Sequence, residues 1–236
     1  MSEVFWRLRW VGAAAVLLAL VLPFALGSWS AGTMLGIFLG MWVALGSLQH
    51  VLERLRKPGR IGGSFWGMHL AHFGMAVLVL GITGVKSYEV ERDVRMAQGD
   101  TVTIAPYTFR LAGIEDVMGP NYKALQAKVE VLKNDQVIEI LRPQKRRYFS
   151  TAMPMTEAAI DSGLLRDLYV SLGDPVAGDT PSWSMRVYYK PFVPWLWAGV
   201  LIMVLGGVLA ALDRRYRRNT NQQSVRTAGE ALSGAA

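Results

Sequence analysis

The chain has 236 residues, 52% of them hydrophobic, a formal charge of +7 and no cysteine. Without cysteine it has no disulfide and no CxxCH site for covalent haem, so it is not itself a c-type cytochrome. The basic excess does not point to nucleic acid. Residues 86–193 carry 14 basic and 14 acidic side chains, and the 11 basic and 4 acidic residues elsewhere account for the whole imbalance, whereas a nucleic-acid reader needs its basic patch on the folded domain.

The apolar residues clump. A bilayer core of about 30 Å takes about 20 helical residues, and four stretches qualify: 10–28, 31–51, 65–85 and 194–212. Arg7 and Arg9 ahead of the first run have the form of a signal peptide, but no A-x-A site follows, so the run reads as a span. Basic residues sit at three helix ends: Arg7 and Arg9, then Arg54, Arg56, Lys57 and Arg60, then Arg214, Arg215, Arg217 and Arg218. The positive-inside rule places residues 1–9, the 52–64 connection and residues 213–236 in the cytoplasm, and 86–193 outside it. Trp6, Trp10, Trp29, Trp66, Trp195 and Trp197 fall near span ends, where interfacial aromatics settle. Residues 213–236 form a basic stop followed by a polar, small-residue tail with the composition of disorder.

The third span, FWGMHLAHFGMAVLVLGITG, holds His69 and His72, two of three histidines in the chain. An imidazole in hydrocarbon is costly unless paired. Three residues apart on a helix, the two share a face. Gly67, Gly74 and Gly81, with Ala71 beside them, form a small-residue seam on the side away from His72, suited to close helix packing. Three partners fit the imidazoles: an interhelical hydrogen bond, a metal ion, or haem, which needs one or two axial ligands and has an apolar macrocycle. His50, at the end of the second span, is expected at similar depth and reads as interfacial or as a further ligand to the same group.

The polar stretch 86–193 reads as a β-rich domain. Residues 101–104 and 107–111 alternate, and 124–141 reads as a hairpin turning at KNDQ. Strands are also predicted at 146–149, 166–172 and 183–189, and 155–162 carries a weak helical pattern that puts Glu157 and Asp161 on one face. Arg142, Lys145, Arg146 and Arg147 form a basic cluster, read as a solvated strand edge or as a dock for an acidic partner or a haem propionate. The domain holds no histidine or cysteine, and no catalytic set is assigned. The fold class is an integral α-helical membrane protein of about four spans, with one β-rich domain inserted before the last.

Three strings in order, SYEVERDVRMAQGDTVTI, MTEAAIDSGLLRDLYVSLGD and VYYKPFVPWLWAGVLIMVLGGVLAALDRRYRR, resemble the C-terminal third of the membrane haem lyases of cytochrome c maturation, the CcmF type of the bacterial Ccm system. The resemblance runs from about residue 10 to residue 218. It implies an inner-membrane haem-handling protein that takes haem from a periplasmic chaperone of the CcmE type and delivers it to apocytochrome c, held by a thioreduction partner of the CcmH type. It also implies a membrane haem b ligated by two histidines on different helices. LAHFG occupies the place of the family's GHLG-like motif, so the ligand role passes to His72. His69 stands where the family has an apolar residue and is carried only as a neighbour.

Full-length members are far longer. Their Trp-rich haem-binding motif, periplasmic histidines and second haem b ligand lie upstream of the matched region. The expectation is a split subunit or C-terminal fragment, not active alone, that completes the lyase with a separate N-terminal part. The competing expectation is a non-haem, membrane-anchored scaffold whose histidines only join helices. A third is a metal site built from His50, His69 and His72.

Overall fold

The computed structural model describes residues 2–27, 29–151 and 153–213. The tail at 214–236, with Arg214, Arg215, Arg217 and Arg218, lies outside the described residues. Among the described residues, four helices are long and apolar enough to cross a membrane: α1 (Ser2–Ala25), α2 (Ala31–Leu55), α3 (Gly63–Tyr88) and α4 (Val193–Ala211). Two compact units divide the chain, one formed by residues 1–83 with 195–236, the other by 84–194.

In the helical unit, small residues set how closely helices approach. Ala15 and Ala19 of α1 are buried, and Gly12 lies against the indole of Trp42, with 3.1 Å left for a Cβ. Ser30 caps α2, its hydroxyl accepting from the Thr33 amide at 3.1 Å. α2 runs antiparallel to α3, Gly36 against Thr83 and Gly40 against Leu80. α3 meets α4 through backbone: a Cβ on Gly67 would lie 2.5 Å from the Gly206 carbonyl oxygen, and one on Gly74 would lie 2.7 Å from that of Gly199. The Ser64 amide, a donor with no partner inside α3, donates to the carboxylate of Asp213 just past α4, at 2.7 Å.

The second unit is a β-sandwich. One sheet has the order β1 (Val90–Ala97), β10 (Ser182–Pro191), β9 (Arg166–Val176), β8 (Ala159–Ser162). The other runs β2 (Thr101–Ile104), β3 (Tyr107–Met118), β4 (Tyr122–Lys133), β6 (Gln144–Tyr148), β7 (Met155–Glu157), with β5 (Gln136–Leu141) also pairing with β4. Every strand pair is antiparallel. Alternate residues point inward, as the period of two requires: Phe109 and Leu111, Val129 and Val131, Leu168, Val170 and Leu172, and Val187 are all fully buried. The β4–β5 hairpin turns at Asn134 and Asp135, both at positive φ (51° and 61°), the conformation that favours such residues in two-residue turns.

The weak helix expected at 155–162 is instead two strands. β7 pairs with β6 and β8 with β9, so ladder bonds to neighbours outweigh local preference. Glu157 and Asp161 therefore share no helix face. Glu157 meets Arg146 at 3.5 Å, and Asp161 meets Arg166 at 2.5 Å.

Candidate functional site

The two histidines of α3 have different surroundings. His69 is 7% exposed, and its Nδ1 lies 2.8 Å from the Ser47 hydroxyl of α2. Its Nε2 is buried with no hydrogen-bond partner among the described residues. The His50 ring stands 4.9 Å away, centroid to centroid, and Phe65 stacks edge-on at 4.3 Å. His72 is exposed on the helix surface, and its Nδ1 lies 2.8 Å from the carbonyl oxygen of Met68, one turn back.

These contacts carry tautomer information. A carbonyl only accepts, so Nδ1 of His72 carries a proton, and in the neutral ring the lone pair is then on Nε2. A hydroxyl both donates and accepts, so Ser47 leaves the tautomer of His69 open. A ligating histidine is ordinarily oriented in the manner of His72, through a hydrogen bond from its other nitrogen.

All three histidines line one cavity of about 310 Å³, together with Trp42, Val43, Gly46, Ser47 and Met68. That lies at the lower end of cofactor-sized sites, about 300–1,000 Å³. Its walls are mainly apolar, with Gly46 opening the α2 side, where a Cβ would meet nothing within 4 Å. A flat apolar group held by one imidazole suits such a wall. A metal held by protein ligands alone does not: among the described residues, no group of three or more His, Cys, Asp or Glu is placed to hold one. The sequence reading missed Ser47, Trp42 and Met68. Ser47 carried a signal, since it stands one turn before His50 on the same helix.

The opposite side of α3 is closed by α4. Gly67, Ala71 and Gly74 abut Gly199 and Gly206 at backbone distance, and Gly81 abuts Leu196. The α4 glycines are seven residues apart, matching the spacing on α3, a signal available in the sequence but unused.

The β-sandwich neutralises much of its own charge. Lys145 is bonded to Asp174, and Arg146 reaches Gln144 and Glu157 while standing 4.5 Å over the Tyr122 ring. Two members of the 142–147 basic cluster are thus engaged within the domain. Arg166 donates to Asp161 and, at 3.2 Å, to the Tyr107 hydroxyl. Burial raises the carboxyl pKa of Asp167, against the lowering effect of hydrogen bonds from Ser162 and the Gly163 backbone. Asp93 moves the other way, held low by its hydrogen bond from Arg186.

Four apolar helices with a β-sandwich between the third and fourth define a polytopic membrane protein with one extramembrane β domain. Residues 87–191 match the family described as the CcmF C-terminal β-sandwich. The chain is 40% identical over 220 residues to the cytochrome c-type biogenesis protein CcmF of Escherichia coli K12, covering 93% of this chain and 33% of that protein. It is 40% identical over 229 residues to the protein of the same name from Pseudomonas aeruginosa, covering 94% and 35%. A solved structure titled cytochrome c heme lyase CcmF superposes with a TM-score of 0.70 at 18% identity, over 86% of this chain and 34% of that one, and shows the same fold. Over most of its length the chain is similar to the C-terminal third of CcmF proteins. It spans about a third of the length of the curated relatives it matches.

Proposed function

We propose that this chain is the C-terminal portion of a membrane haem lyase complex of cytochrome c maturation, and that His72 Nε2 is one axial ligand of a haem b within the membrane. The observation that carries the ligand role is the contact of Nδ1 with the Met68 carbonyl, which puts a proton on Nδ1 and reserves Nε2 of the neutral ring as the ligating nitrogen. The open cavity of about 310 Å³ suits one wall of a haem site, in which Trp42, Val43 and Met68 would supply apolar surface for the macrocycle. The second axial ligand comes from the N-terminal part of the lyase. A haem held there would supply one-electron redox chemistry. This chain's own residues hold and orient: His72 ligates, Met68 fixes its ring, and the glycine contacts with α4 keep α3 in place.

In this reading the membrane is the bacterial inner membrane, both termini are cytoplasmic, and the β-sandwich is periplasmic. There it docks the haem chaperone and the protein that holds apocytochrome c. The chain is not active alone. His69 fits the rival role, a helix–helix bond through Ser47, and no iron is assigned to it.

Co-expression with the N-terminal part, followed by visible spectroscopy of the purified complex, tests the assignment. His72→Ala is expected to abolish the bis-histidine Soret and α-band signature, with added imidazole restoring it. His69→Ala is expected to retain it. A spectrum unchanged in His72→Ala overturns the ligand assignment, and absence of haem from every form favours the scaffold reading.

A further inference from the structure

The β8–β9 turn has an unusual tip. Turns between strands ordinarily carry Gly, Asn, Asp, Ser or Pro. Here Ser162-Gly163 is followed by Leu164 and Leu165, which are 87% and 62% exposed. The other end of the same sheet is the contrast, where Gly178, Asp179, Thr180 and Pro181 join β9 to β10.

The leucine tip lies at the end of the sheet where the chain joins its apolar helices. β1 starts at Val90, just after α3, and Val90 pairs with Tyr189. β10 ends at Pro191, opposite Arg166, and α4 begins two residues later. The Phe192 amide donates to the Leu165 carbonyl at 2.9 Å. Leu165 is thus tied to the residue that directly precedes α4. Trp195 and Trp197, the aromatic residues suited to the headgroup layer, follow within the first two turns of that helix. The tip is firmly held: the Gly163 amide donates to the Arg166 carbonyl at 2.9 Å, and the Arg166 guanidinium is turned back onto Asp161 and Tyr107. Residues 162–165 carry no charge.

We infer that Leu164 and Leu165 insert into the lipid leaflet that α4 enters, giving the β-sandwich a third attachment to the bilayer beside its two helix connections. The occupant is the headgroup and upper acyl region of a phospholipid bilayer. The covalent path into α4 brings that surface to the tip, and uncharged leucines suit its apolar layer. The inference needs the chain to be a membrane protein, and it is independent of the haem assignment.

Because the native chain has no cysteine, single-cysteine probes are unambiguous. Leu164→Cys and Thr180→Cys would each be introduced into the full chain and labelled with an environment-sensitive fluorophore. Both would be reconstituted in nanodiscs of phosphatidylethanolamine and phosphatidylglycerol, with and without doxyl-labelled lipid. The label at 164 is expected to be quenched by doxyl lipid and to be protected from a membrane-impermeant quencher about tenfold relative to the label at 180. Equal water exposure at the two positions overturns the inference. So does protection at 164 without doxyl quenching, or protection that appears only when the N-terminal part is added, since both mean a protein cover. Leu164→Asp, which leaves the buried sheet untouched, is expected to keep the circular dichroism spectrum and to lose insertion of a label at position 165. Unchanged insertion there also counts against it.

Discussion

At the scale of single residues, a carbonyl and a hydroxyl decide what two neighbouring imidazoles can do. Met68 forces one tautomer on His72, while Ser47 accepts either from His69. Composition and spacing alone left hydrogen bond, metal and haem open for both histidines, and the motif resemblance rather than physics singled out His72. The partner of His69 was not legible, because it depends on the rotation of α2 against α3, which no local pattern encodes. The Ser47 bond carries its own expectation. Ser47→Ala leaves both ring nitrogens of a buried histidine unpaired and should lower the unfolding free energy of the helical unit in detergent by about 1 kcal/mol, the usual scale of interhelical hydrogen bonds in membranes. Unfolding in mixed micelles measures it. Since the serine is no ligand, the haem spectrum of the assembled complex should keep its band positions.

At the scale of elements, contact between helices is a matter of missing side chains. The seven-residue spacing of Gly67, Gly74 and Gly81 is visible in the sequence, as is that of Gly199 and Gly206, but which residue meets which is known only once the two helices are seen side by side. Gly206 and Gly207 provide a controlled comparison. A Cβ at 206 would lie 2.5 Å from the Ala71 amide nitrogen, whereas one at 207 meets nothing within 4 Å. Gly206→Leu should force the helices apart and cost about 1–3 kcal/mol. Gly207→Ala should be neutral or stabilising by up to about 1 kcal/mol. Unfolding midpoints of the two variants measure the difference, and equal effects would refute the seam. Strands show the same divide between local and distant information. Asn134-Asp135 announces its turn locally, so the hairpin was readable. Residues 155–162 carry a faint helical period, and only their ladders to β6 and β9 make them strands.

At the scale of the whole molecule, charge and hydropathy settle more than any motif does. Four apolar stretches and a charge-balanced insert were readable because transfer free energy depends on composition and length. The proposed orientation rests on the basic residues beside the helix ends, and Arg54, Arg56, Lys57 and Arg60 between α2 and α3 are the decisive group. Loops this short follow the positive-inside bias strongly. Pro58→Cys and Thr180→Cys place single thiols on the α2–α3 loop and on the far end of the sandwich, in a chain otherwise free of cysteine. In spheroplasts a membrane-impermeant maleimide should label position 180 and leave position 58 unlabelled until the membrane is permeabilised. The reverse pattern would overturn the orientation and, with it, the periplasmic placement of the β-sandwich. Replacing the four basic residues with Gln should bring labelling at position 58 in a fraction of molecules. The spans would still insert, but the term that holds this loop inside would be gone.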